Sequence, residues 1–229
     1  MQFTDRTVVV TGAAGNLGRA VAQAFANLGA SLVLLDVKRG SLQDGASQIF
    51  LETNLFDAES VQDAIKKALD RFKRIDVLCN IAGAFRMGPP VHETKDADWD
   101  FLFDVNARSV LHTSRAVVPL MLKSGGGKII NVGAYAAQKG AAAMGAYVAS
   151  KSAVIRITET MAAELRDKNI NVNCVLPTII DTPDNRAAMP KADPRRWVST
   201  QDLAAVIVFL ASDAARALHG AAIPVTGLS

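Results

Sequence analysis

Seven short apolar runs punctuate the chain: Val8–Val10, Leu32–Leu35, Gln48–Leu51, Val77–Cys79, Ile129–Val132, Val172–Leu176 and Ile223–Val225. Most lack polar alternation, the pattern of parallel strands covered on both faces. Between them, apolar residues recur at helical spacing, as in Leu17, Val21, Ala24, Phe25 and Leu28. This pattern predicts helices over about 17–28, 58–72, 97–122 (in two pieces), 146–167 and 200–211. The segment from Asp36 to Gln48 carries Gly40 and Gly45 and is too short for a full helix. Alternating strands and helices predict an α/β fold, a doubly wound parallel sheet flanked by helices. No repeat, low-complexity tract or linker divides the sequence, so residues 1–229 are expected to form one domain.

The first strand runs straight into glycines: Val8 to Gly18 reads VVVTGAAGNLG. Gly12 can take the backbone angles of a sharp turn, and Gly15 leaves room for a ligand to approach. Gly18 would let the following helix lie close to the strand. That helix begins with unpaired N–H groups and a positive dipole end, which suits a pyrophosphate. Asp36 ends the second strand, about 20 residues further on, where an acidic residue binds a ribose hydroxyl.

Composition excludes several classes. Half the residues are apolar, 21% are charged and the net charge is +3, with the basic residues dispersed. No basic stripe points to nucleic acid. MQFTDRT at the start has no apolar signal core, and no run of about 18 apolar residues offers a membrane span, so a cytoplasmic location is expected. Cys79 and Cys174 each sit in or end an apolar run and read as buried free thiols. His92, His112 and His219 show no metal spacing, and no metal is expected.

Candidate chemistry lies where strands end. Asn54 and Leu55 follow the third strand and read equally as the border of an adenine or as a loop leading into a helix. Asn80, Ala82 and Gly83 end the fourth strand, beside the reversal of strand order where ligands bind in such sheets; Ala82 and Gly83 would lie beside a cofactor, and Asn80 would hydrogen-bond to hold the crevice in shape. Tyr147 and Lys151 are spaced i,i+4, which puts them on one helix face. A free tyrosine titrates near 10, and a neighbouring ammonium lowers that value, making the pair a proton donor or acceptor.

With these residues in view, the sequence resembles the short-chain dehydrogenase/reductase family along essentially its whole length. The ordered parts are Thr11-Gly12-Ala-Ala-Gly15-Asn16-Leu17-Gly18, Asp36, Asn80-Ile-Ala82-Gly83, Asn106, Tyr147-x-x-x-Lys151, Pro177 with Thr182, and Gly220…Pro224-Val225-Thr226-Gly227. The resemblance implies a single-domain Rossmann fold with seven strands. It implies that Tyr147 is the general acid/base and that Lys151 holds the nicotinamide ribose and lowers the tyrosine pKa. Asn106 would order a water in the relay to Lys151. Asp36 would hold the adenosine ribose and repel a 2′-phosphate, favouring NAD(H) over NADP(H), although Lys38 and Arg39 lie close by. Ile180 and Thr182 would hold the nicotinamide amide. A substrate lid would cover about 179–194, and Phe85, Arg86, Met87, Met144 and Trp197 would face the pocket. Helices over 103–122 and 147–165 would pair subunits into a homodimer or homotetramer.

Three positions depart from the family pattern. Ala134 stands thirteen residues before Tyr147, where the family carries a serine. Removing one oxyanion donor typically costs about 10²–10³ in rate. Tyr135 and Gln138 are the nearest substitute donors. Otherwise the substrate needs none, as in dihydropteridine reductases, or the protein binds a dinucleotide without turnover. The spacing Gly12, Gly15, Gly18 matches extended members, but residues 152–229 leave no room for their substrate domain, so the classical architecture is expected, with Asn16 free to bond a phosphate. Thr178 replaces the glycine after Pro177 and would stiffen the start of the lid. The leading expectation is an NAD(H)-dependent oxidoreductase acting on a small carbonyl or alcohol.

Overall fold

The computed structural model describes residues 1–229. In chain order the elements are β1 (Thr7–Thr11), α1 (Asn16–Ala26), β2 (Ser31–Asp36), β3 (Gln48–Glu52), α2 (Ala58–Phe72), β4 (Val77–Asn80) and α3 (Asp96–Phe103). A π-helical turn (Asp104–Arg108) leads into α4 (Ser109–Ser124), β5 (Gly127–Val132), α5 (Gly145–Leu165) and β6 (Ile170–Pro177). Then follow β7 (Ile180–Asp181), α6 (Pro183–Ala188), β8 (Val198–Ser199), α7 (Thr200–Ala211) and β9 (Ala222–Val225).

Seven strands form one parallel sheet in the order β3-β2-β1-β4-β5-β6-β9. Successive side chains of a strand point to opposite faces. Val8, Val10, Leu32 and Leu34 therefore pack toward α1 and α7. Val9, Val33, Leu35 and Leu78 pack toward α2, α4 and α5. Both faces are covered, so the central strands show no polar alternation. The predicted α2 and α7 match the observed spans. The predicted first helix is shortened to Ala26, because Gly29 at φ +85 turns the chain back toward β2. The two pieces predicted over 97–122 meet at the π-helical turn.

No helix joins β2 to β3. The segment between them covers the sheet with a charged cluster instead. The Arg39 guanidinium lies 4.7 Å from the Phe50 ring centroid and donates to Asp44 at 3.1 Å. Asp44 accepts the Phe50 N–H at 2.6 Å, and these bonds hold its carboxyl below the usual carboxylate range. Stacking and pairing together give an edge strand a cover that a helix would otherwise supply.

The start of α1 is fixed by close approach. A methyl group at Gly18 would overlap the Gly12 carbonyl oxygen and lie 2.8 Å from Ala13 Cα. Both obstacles are backbone. Gly18→Ala is therefore expected to lower stability by about 1–3 kcal/mol, as overpacking does, measured by urea denaturation.

Candidate active site

Strands β1 and β4 are neighbours whose chains leave toward opposite faces of the sheet. Their C-terminal ends therefore separate and open a crevice. Thr11 closes its floor: its Oγ accepts the N–H groups of Ile81 at 3.0 Å and Ala82 at 3.1 Å. Gly12, at φ +62, turns the chain directly against Ala82, and a Cβ there would lie 2.9 Å from Ala82 Cα. Gly15 begins α1 with no side-chain cap, so the first amides of the helix, at Asn16, Leu17 and Gly18, are open to an anion. Asp36 accepts the Ala14 N–H at 2.9 Å and braces the turn from the second strand. A carboxylate has about four acceptor sites, so capacity remains for hydroxyl donors. An uncapped helix start, a turn that tolerates no Cβ and a carboxylate at the end of β2 fit a dinucleotide.

The protein itself engages several of the expected residues. Asn16 Oδ1 accepts from Arg19 at 2.8 Å, which leaves its N–H groups to donate, and Arg19 also reaches the Ala14 carbonyl at 2.7 Å. Asn54 serves the loop reading, with its Oδ1 accepting the Phe56 N–H at 3.0 Å. Leu55 is buried in the core, and its carbonyl accepts from or faces His112 Nδ1 at 2.9 Å. Asn80 turns inward. It donates to Asn131 Oδ1 at 2.8 Å and accepts the Thr113 hydroxyl at 2.7 Å, while Asn131 donates to Thr158 at 2.8 Å. This buried network ties β4 and β5 to the helices behind them and shapes the crevice without facing it.

Tyr147 and Lys151 lie one turn apart on α5, both largely buried. Burial pushes the Tyr147 phenol up to about 12. Burial also lowers the Lys151 ammonium to about 8. Burial is the one cause of the tyrosine's shift, and the lowering by the lysine expected from the spacing does not appear here. Lys151 Nζ donates to the Val132 carbonyl at 2.7 Å and crowds Gly83, where a Cβ would lie 2.9 Å from it. Asn106 reaches the same glycine from the π-helical turn, again 2.9 Å from a Cβ. Its side chain does not offer free N–H groups to a relay water. Nδ2 donates to Ala84 O at 3.1 Å and Ser150 Oγ at 3.0 Å, while Oδ1 accepts the Ala84 N–H at 3.0 Å. Asn106 thus clamps the loop after Gly83 onto α5.

That loop walls the space beside Tyr147. Phe85 packs edge-on to the Tyr147 ring, with centroids 4.9 Å apart. Tyr147, Met144, Met87, Leu102, Arg86 and Asp98 help line a cavity of about 80 Å³. Arg86 is paired with Asp98 at 2.9 Å and stacked 3.9 Å from the Phe101 centroid. Trp197 does not line this cavity. Ala134 is buried among Val154, Ile155, Cys174 and Leu176. Tyr135 is exposed, and the Gln138 amide donates to the Tyr135 carbonyl at 3.4 Å, within its own turn. Pro177 ends β6; Ile180 O accepts from Asn185 at 2.8 Å, and Thr182 caps α6 through the Asn185 N–H at 3.2 Å. Cys79 and Cys174 are buried free thiols, as expected. No helix is long and apolar enough to cross a membrane.

A doubly wound parallel sheet with this crevice is the architecture of a dinucleotide-binding domain. A family model described as short chain dehydrogenase matches residues 6–193. The 3-oxoacyl-[acyl-carrier-protein] reductase FabG of Thermotoga maritima is 32% identical, over 99% of this chain and 98% of its own length. An NAD-dependent glycerol dehydrogenase of Listeria innocua is also 32% identical, over 95% of this chain and 91% of its own. The structure of an NAD⁺-bound xylitol dehydrogenase superposes with a TM-score of 0.91 at 27% identity, covering 99% of this chain and all of that one. The chain belongs to the short-chain dehydrogenase/reductase family of enzymes, whose cofactor is NAD(P).

Thr11, Arg19, Ser150 and Val132 complete the site, and sequence reasoning assigned none of them a role. A hydroxyl ending an otherwise apolar strand was the available signal for Thr11. Asn106→Ala is expected to lower stability by about 1–3 kcal/mol, because it leaves both polar groups of Ala84 without their partner. Faster amide exchange at Ala84 would confirm the assignment, and unchanged exchange would contradict it.

Proposed function

We propose that the protein uses NAD(H) to move a hydride to or from a small carbonyl or alcohol, with Tyr147 passing the proton. The observation that carries this reading is a half-buried phenol and a buried amine one helical turn apart on α5, the amine beside Gly83. When bound, the nicotinamide supplies or accepts the hydride. Asp36 and the open amides of α1 hold the adenosine half. Gly83, Lys151, Pro177, Ile180 and Thr182 flank the nicotinamide half, and residues 179–194 act as a lid on a single domain that spans the chain. NAD(H) is favoured over NADP(H). Asp36 repels a 2′-phosphate, and Arg39, which otherwise would attract one, is paired with Asp44. Self-association as a dimer or tetramer follows from apolar residues such as Leu111 and Leu122 left exposed on α4.

Ala134 favours a second reading of the substrate. It lacks the hydroxyl that polarises a carbonyl in the family pattern, and its surroundings are apolar. A dihydropteridine-like substrate, reduced without such a donor, suits that wall better than a simple ketone.

Tyr147→Phe is expected to abolish turnover while leaving NADH binding within about threefold, since only the proton path is lost. Full turnover by this variant would remove Tyr147 from the reaction. Ala134→Ser discriminates the substrates: a gain on ketones points to the carbonyl reading, and a loss on a quinonoid dihydropterin points to the second. NADPH should bind more weakly than NADH in a fluorescence titration.

The pH dependence has a definite sign. Lys151 is cationic below about 8 and neutral above it. Its positive charge stabilises the phenolate left when Tyr147 donates its proton. Reductive kcat should therefore fall as pH rises through about 8. A profile flat to well above that value would show that the lysine charge is not used.

A further inference from the structure

We propose that residues Thr226–Ser229 form a strap that clamps both hinges of the 179–194 lid and so sets its position over the nicotinamide, with Thr178 as the anchoring residue. The inference rests on the reading of that segment as a lid. At the first hinge, Thr178 donates its N–H to Val225 O at 3.3 Å and its hydroxyl to Thr226 O at 3.0 Å. The same hydroxyl lies 2.8 Å from Ser229 Oγ. At the second hinge, Leu228 N donates to Arg196 O at 2.9 Å, and the Arg196 guanidinium returns a bond to Leu228 O at 2.7 Å.

Gly227 lets one short segment serve both ends. Its φ of +58 folds the strap back on itself, and a Cβ there would lie 3.0 Å from Arg196 O and 3.1 Å from Trp197 O. Trp197 beneath it is buried. The two hinges are also joined directly, where Ile180 pairs with Val198. The strap is a second clasp, outside the first, and it grips through a side chain that is Thr178 in this chain. Pro177, Ile180 and Thr182, proposed to flank the nicotinamide, all lie within four residues of that grip.

The contacts make Thr178 a positioning residue, acting through the lid rather than on the ligand. Its loss should therefore weaken only ligands that the lid covers. The test uses the full chain with Thr178→Val, Thr178→Ser and Gly227→Val, and two probes: NADH, and ADP-ribose, which lacks the nicotinamide. Thr178→Val should bind NADH about three- to tenfold more weakly, the scale of one lost hydrogen bond. ADP-ribose should bind it as it binds the wild type. Thr178→Ser should restore NADH affinity, and Gly227→Val should reproduce the defect. Trypsin should cut the Thr178→Val lid faster at Arg186, Lys191 or Arg195.

Equal loss of NADH and ADP-ribose binding would show a general structural role and overturn the proposal. Unchanged NADH affinity and unchanged cleavage in both Thr178→Val and Gly227→Val would also overturn it. A wild-type chain that binds neither probe would defeat the dinucleotide reading instead, and the rate of tryptic cleavage would still decide whether the strap holds the lid.

Discussion

The separation of β1 from β4 is the constraint on which the rest depends. Two adjacent parallel strands whose chains leave on opposite faces cannot keep pairing past their ends. The backbone N–H groups of Ile81 and Ala82 lose a sheet partner there, and a buried orphan amide would be costly. The Thr11 hydroxyl accepts both, sharing the Ile81 N–H with the Cys79 carbonyl. The arrangement pulls β4's exit against Gly12, where only glycine fits, and this contact places the phosphate turn and the loop through Gly83 on the two sides of one crevice. Asp36 then braces the turn, and Asn106 braces the loop. The site is a consequence of finishing the sheet at its switch point.

Behind the crevice the polar groups of β4 and β5 are organised differently. Thr113, Asn80, Asn131 and Thr158 form a chain of short hydrogen bonds through the interior, all nearly inaccessible to solvent. A fully satisfied buried network fixes one arrangement, because each member left alone would be penalised. It holds α4 and α5 in register with the strand ends that carry Gly83 and Val132. Val132 O in turn orients Lys151. The rigid part of the site is thus built from amides and hydroxyls that never face a ligand, while the titratable groups stand one layer forward.

Much of this was legible in the sequence. The strand runs, the helices α2 and α7, the break within 97–122 and the glycine turn all follow from local pattern, because a doubly covered sheet leaves a strong apolar signature. Side-chain allegiance was not legible. Asn80 has the same donors and acceptors whether it meets a ligand or the protein, and only the fold shows that Asn131 and Thr113 reach it first, while Arg19 and Phe56 take only the acceptor oxygens of Asn16 and Asn54. The electrostatics of Tyr147 and Lys151 were also beyond spacing alone. An i,i+4 pair on an exposed helix and the same pair under a sheet crest differ in burial, and burial sets both pKa values here. The Arg39–Asp44–Phe50 cover escaped notice because it is built by a loop, with no period to detect.

Ala134 and Tyr147 share one apolar wall. The wall that holds Ala134 is made of Val154, Ile155, Cys174 and Leu176, and Tyr147 packs against it. A serine there would bring a hydroxyl and the water that follows it, softening the desolvation of its neighbours. Burial makes the phenol hold its proton tightly and the amine hold its proton loosely. Charge created at the phenol then has little help from solvent. On the second of the proposed readings, such a wall suits a substrate that disperses its own developing charge over a conjugated system. On that reading the apolar side chain at position 134 would act on the choice of substrate through the wall around it as much as through the missing hydroxyl.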